Sequence, residues 1–161
     1  MYVDRINGLI FTQCVAQQYD GQEFVADDAP ELLLVDARAA KLVAIEAAYA
    51  AALGTPFTYN GATYPIDQPS QQCITSWGAL ALGAVANAPG VTWPQNFVWL
   101  DTKGNQQPFA TAADFLAFAQ AAATYVTALM LLHNALKVST AAAQDLPTLA
   151  AIDPATLMMV R

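Results

Sequence analysis

The sequence predicts an α+β fold: long alanine-rich helices interleaved with short β-hairpins, around a helical-bundle core. Three observations carry this. Asn7-Gly8 and Asn60-Gly61 each sit between apolar runs, and both residues tolerate the positive φ that a tight hairpin turn requires. Apolar residues recur at steps of three, four or seven from Leu32 to Leu53, the period of a helix face, and two further alanine-rich apolar stretches follow. Capping residues or prolines open those stretches, as helix starts require.

In chain order, strands are expected at 2–6 and 9–15 around Asn7-Gly8, with Glu23-Phe24-Val25 as a third short strand. Asp28, Pro30 and Glu31 read as cap, first-turn proline and capping-box acid of a helix over 31–53. Its apolar seam is Leu32, Val35, Ala39, Leu42, Tyr49 and Leu53, and Gly54 before Pro56 ends it. The seam also has the spacing of a short coiled coil. Phe57-Thr58-Tyr59-Asn60-Gly61-Ala62-Thr63-Tyr64 is a second hairpin. Asp67 or Ser70 caps the next helix, which carries Ile74, Trp77, Leu80, Ala81 and Val85 and stops near Asn87-Ala88-Pro89-Gly90. Phe97-Val98-Trp99-Leu100 and Gln106-Gln107-Pro108-Phe109 flank a longer turn at 101–105. Thr111-Ala112-Ala113-Asp114 then caps a last long helix, running to 137 or 143. That helix is apolar almost all round, so burial on most of its sides is expected. The organisation is a hairpin segment (1–30), a helix–hairpin–helix–hairpin–helix domain (31–140) and a tail (141–161), whose Leu157-Met158-Met159-Val160 needs a surface to cover it.

Composition bounds function. The chain is 56% hydrophobic and only 12% charged, against about a quarter charged in ordinary soluble domains. Much surface is therefore expected to be hidden in an assembly or a membrane. The net charge is −7 and no basic run occurs, so no nucleic-acid partner is expected. Residues 115–136 make 22 positions without a charged side chain, long enough to cross a bilayer. Gln120, Thr124, Thr127, His133 and Asn134 within that window argue for a bundle helix instead, and a membrane partner is not expected. Met1-Tyr2-Val3-Asp4-Arg5 lacks the order of a secretory signal, so a cytoplasmic origin is expected.

No chemistry assembles from the sequence. His133 is the single histidine and lies in the most apolar helix, where a core or interface role is expected. Cys14 and Cys73 are isolated and read as reduced, buried small hydrophobes, with a disulfide as the alternative. One His and two isolated Cys cannot build a zinc site. Asp27, Asp28, Glu31, Asp67, Asp101 and Asp114 stand mostly at helix starts or turns, where capping accounts for them. No catalytic residue, metal ligand or cofactor site is expected, and the chain is not expected to be an enzyme. Tyr59, Tyr64, Trp93, Phe97, Trp99 and Phe109 read first as hairpin packing and core, and second as a recognition face. Partner contacts are expected at Leu32, Val35, Leu42, Tyr49, Tyr59, Tyr64, Trp99, Phe115, Phe118, Leu129, Leu157 and Met158.

The motifs also have a distinctive order. Lys41-Leu42-Val43-Ala44-Ile45-Glu46-Ala47-Ala48-Tyr49 precedes the Asn60-Gly61 hairpin; Asp67, Ser70-Gln71 and an alanine-rich helix follow; a tryptophan hairpin from Trp99 to Pro108 leads into Thr111-Ala112-Ala113-Asp114-Phe115 and a helix ending His133-Asn134-Ala135-Leu136-Lys137. Over residues 36–140 this resembles a domain-of-unknown-function family found in tailed bacteriophages, in tail-fibre and tail-fibre-assembly proteins. The first 35 residues resemble tail-fibre-assembly openings more weakly. The resemblance implies a non-enzymatic structural or accessory component of a phage tail, at the tail-fibre or baseplate end. Such a component would be found in the virion tail, after assembly in the host cytoplasm. Its implied partners are tail-fibre or baseplate proteins, in a homo- or hetero-oligomer. The alternative is an assembly chaperone absent from the mature virion. A small membrane protein such as a holin ranks below both.

Overall fold

The computed structural model describes residues 2–3, 12–13, 25–26 and 30–160, with side chains over 33–160. The Asn7-Gly8 turn, Cys14 and the Asp28 cap lie outside the described residues. The fold is α+β, with four α-helices and short antiparallel strand pairs among the described residues. The chain divides into two compact units, residues 1–43 with 138–152, and residues 44–137 with 153–161. Helices α1 (Pro30–Gly54) and α3 (Ala112–Ala142) contribute to both.

In the first unit, β1 (Tyr2–Val3) pairs antiparallel with β2 (Thr12–Gln13) on one side and β3 (Val25–Ala26) on the other. Helix α3 ends here with no basic residue in its last turn, which leaves terminal carbonyls to be satisfied from elsewhere. α1 supplies the donors. The Arg38 guanidinium donates to the Ala143 carbonyl just past the end of α3; Lys41 Nζ donates further along the chain, to the Ile152 carbonyl at 2.8 Å. Placing cations at these chain ends is also favourable to the helix dipole. α4 (Leu146–Ala150) starts at Asp145, whose carboxylate accepts the Thr148 N–H at 2.7 Å. The sequence places residues 146–150 in the C-terminal tail without assigning them an element. They fold as this short helix, with Leu149 buried.

In the second unit, β4 (Phe57–Tyr59) and β5 (Ala62–Tyr64) form the predicted hairpin, with Phe57 opposite Tyr64. Asn60 and Gly61 take φ of 48° and 81°, as a two-residue turn of this kind demands. α2 (Gln68–Val85) is capped by Asp67, which accepts the Ser70 N–H at 2.9 Å. β6 (Val98–Leu100) and β7 (Gln106–Pro108) form the third hairpin, with Trp99 opposite Gln107. Its loop is organised by Asp101, whose Oδ1 accepts the Lys103 and Asn105 N–H groups at 2.8 Å and whose Oδ2 accepts the side-chain amides of Asn105 and Gln107. The two hairpins are joined at Thr63 and Thr102, by an N–H to carbonyl bond of 2.8 Å and a hydroxyl pair at 2.6 Å. α3 opens on a reciprocal box. Thr111 Oγ1 accepts the Asp114 N–H at 3.1 Å, and Asp114 Oδ2 accepts the Thr111 N–H at 3.1 Å. A 3₁₀ helix, Pro154–Met159, ends the unit.

The core lies where the hairpins, α2 and α3 meet. Phe115 and Phe118 are fully buried there, with Phe57, Tyr64, Ile66, Ile74 and Phe109 around them. Two sequence expectations need correction. The buried stripe of α1 in this unit is Ile45 and Ala52, with Tyr49 only half-buried. Alanine fills this helix on every side, so several stripes have comparable apolar spacing. α3 is not buried on most sides: only 22% of the residues in its most apolar 18-residue stretch are buried.

Candidate functional site

The site begins with a glycine. A Cβ added at Gly78 would meet Ala119 Cβ at 3.1 Å, so α2 and α3 approach closely at that level. Beside this contact they bound an open groove of about 570 Å³. Ile74, Ala79 and Leu82 line it from α2, and Leu116, Ala123 and Val126 from α3. Gln71, Thr75, Gln120 and Thr127 are its polar members, and no lining residue is charged. The whole of α2 is without Asp, Glu, Lys or Arg, as is α3 from 115 to 136.

The outer face of α3 continues this surface. Positions 113, 117, 120, 124, 127, 131 and 134 are all exposed, alternating steps of four and three. The core-facing positions 115, 118, 122, 129 and 133 are buried. One helix thus carries two heptad-spaced stripes, of which the inner is used and the outer is not. The outer stripe reads Ala113, Ala117, Gln120, Thr124, Thr127, Leu131 and Asn134. Leu131 is 60% exposed, and Leu82 on the groove wall 56%. The stripe is free of ions but mixed, with four uncharged polar residues among its seven; the larger apolar side chains lie at Leu131 and along the groove.

Residues 36–156, more than half of the chain, match the family described as Domain of unknown function (DUF4376). The chain belongs to this family. No curated protein and no solved structure gives a match. The DUF4376 region runs past residue 140 to take in α4 and the start of the 3₁₀ helix.

Several titratable groups of the DUF4376 domain are engaged in contacts within the chain. His133 is buried, stacks on Tyr49 with ring centroids 4.2 Å apart, and places Nε2 3.1 Å from Glu46 Oε2. Nε2 has no aligned hydrogen-bond partner. Lys137 Nζ donates to Glu46 Oε1 at 2.6 Å and, with His133 nearby, holds that carboxyl below its usual range. The Asn105 side chain and the surrounding N–H donors do the same for Asp101. Burial pushes the Tyr64 and Tyr125 hydroxyls up. Among the described residues no three His, Cys, Asp or Glu side chains are grouped to hold a metal.

The structure redistributes the predicted partner contacts. Tyr64, Phe115, Phe118, Leu129 and Leu157 are buried in the chain's own interior, so they are not surface contacts. Tyr59 and Trp99 are half-buried against the aromatic core, where Trp99 lies 5.4 Å from Phe115 and Tyr59 5.4 Å from Phe118. Leu42 and Tyr49 are half-buried too. Val35 and Met158 are exposed, and the Leu32 side chain lies outside the described residues. Trp93, Phe97 and Phe109 pack into the same core, with Trp93 Nε1 donating to the Phe109 carbonyl at 3.1 Å. The first reading of the aromatics, as packing, therefore holds. Cys73, expected inside, is free and exposed on α2. The groove and outer stripe (Gly78, Ala79, Leu82, Gln120, Thr127, Leu131) were missed as a site. The available signal was the run of two helices without ions, together with a glycine in the middle of one.

Proposed function

We propose that this chain is a non-enzymatic structural or accessory component of a bacteriophage tail, at the tail-fibre or baseplate end, acting by protein–protein packing. The observation that carries the packing part is the mismatch on α3. The helix is apolar enough for a core, yet only 22% of the residues in its most apolar stretch are buried in its own chain, and Met130, Leu131 and Val138 stand exposed. Exposed apolar surface of this kind stabilises an assembly when another polypeptide removes it from water. The tail setting rests on the order of motifs quoted from the sequence. Tail-fibre or baseplate proteins are the partners this reading names.

α3 is long and apolar enough to cross a membrane. Its exposed stripe carries the amides of Gln120 and Asn134, which need partners that hydrocarbon does not supply. That favours a protein neighbour over a holin-like role. The test is mass spectrometry of purified virions from a phage encoding this chain. Peptides at a copy number in fixed ratio to the fibre or baseplate proteins are expected. Their absence, with the chain bound to fibre protein in the lysate, would move it to the chaperone role. Absence from both would sink the tail reading.

A further inference from the structure

We propose that the outer stripe of α3 and the adjoining α2–α3 groove form a self-pairing surface, covered by the same surface of a second copy of this chain. The inference rests on the reading of the chain as a packing protein and adds which partner this face takes first.

Three observations favour a second copy. The first is chemistry. Around a two-fold axis each group meets a copy of itself or of a near neighbour. Like charges repel in that setting, whereas amides and hydroxyls are donor and acceptor at once. This face carries no charged residue, and its polar members on α3 are Gln120, Thr124, Thr127 and Asn134. The second is continuity. The exposed positions from 113 to 134 form one unbroken stripe along α3, so a second helix can lie along it over its length.

The third is area. The exposed half of α3 over 113–135 is a strip about 33 Å long and about 18 Å around, or about 600 Å² per copy. A pair therefore buries about 1,200 Å², the lower edge of stable specific interfaces. The α2 flank, with Ala79 and Leu82 on the groove wall, adds to it. The small residues of the stripe, Ala113 and Ala117 among them, let two helix backbones come close.

The test is sedimentation equilibrium of the full chain over about 1–100 µM. A species of twice the 17.1 kDa chain mass is expected to grow in with concentration. Thr127→Lys and Leu131→Glu each place a charge on an exposed position of the stripe. Each is expected to weaken association at least about tenfold, with far-ultraviolet circular dichroism unchanged. Gln95→Lys, on an exposed loop, is expected to change nothing. If Leu131→Glu proves misfolded, Thr127→Lys alone decides. A chain monomeric throughout that range overturns the proposal, as does association that Thr127→Lys leaves intact. Monomeric protein that floats with phosphatidylcholine vesicles overturns it too, and assigns the face to lipid. A monomeric chain still found in virions would leave the tail reading standing and remove only the self-pairing.

Discussion

Phe118 is the side chain on which the second unit closes. Its ring centroid lies 4.7 Å from Tyr64, 5.3 Å from Phe109, and 5.4 Å from Tyr59 and Phe115. Both hairpins are therefore packed against one residue of α3. Phe118→Ala removes a fully buried ring and leaves a cavity, for an expected loss of about 3–5 kcal/mol, with Phe118→Leu costing less. Urea unfolding of the two variants checks this, and a loss under about 1 kcal/mol for the alanine would mean that the hairpins do not depend on the ring. Asp101 works by charge-assisted hydrogen bonds. Its carboxyl is held below the ordinary 3.8, first by the Asn105 side chain, and Asp67 is lowered by its bonds to Ser70. The unfolded chain takes up these protons more readily than the folded one does. The stabilisation is thus present above pH about 4 and lost as pH falls through the depressed values. The urea midpoint should fall steadily below pH 4 and less so in Asp101→Asn. Parallel acid limbs for parent and variant would show that the Asp101 cluster contributes nothing there.

At the scale of elements, legibility followed locality. The Asn60-Gly61 hairpin, the Asp67 cap and the Thr111/Asp114 box were readable because each is fixed by residues within a few positions of one another. The buried face of α1 was not. Leu42 and Tyr49 looked like its seam, but Ile45 and Ala52 are the buried pair, and in an alanine-rich helix only the neighbouring elements decide between such stripes. The same limit hid the site. Periodicity can mark one face of a helix, but α3 is apolar almost all round, so Phe115 and Leu129, which face the core, were named as contacts while the exposed Leu131 and Thr127 were passed over. Gly78 carries the prediction at this scale. Glycine costs about 1 kcal/mol in a helix relative to alanine, yet here the nearest atom to a new Cβ would be Ala119 Cβ at 3.1 Å. Gly78→Val must push α2 from α3, so a destabilisation of about 1–3 kcal/mol is expected despite the better backbone. Thermal unfolding checks it. A stabilised Gly78→Val protein would show that the two helices have room to spare at that level.

For the whole molecule the governing contrast is between net charge and its placement. The chain carries −7, yet α2 and the 115–136 stretch of α3 hold none of it. Two copies approaching through this face feel long-range repulsion from charges elsewhere and short-range attraction from apolar surface. Salt separates the two terms. Raising ionic strength from about 0.01 M to about 0.15 M shortens the screening length from about 30 Å to about 8 Å, which removes most of the repulsion. It leaves apolar burial almost untouched, and sulfate strengthens that burial by its exclusion from protein surface. Association measured by sedimentation should therefore tighten with sodium chloride over this range and tighten further in sulfate. An interface held by ion pairs would respond in the opposite direction, because salt screens the attraction. Weakening with salt would mean that copies meet through the charged residues outside α2 and the 115–136 stretch, leaving the ion-free face to another partner.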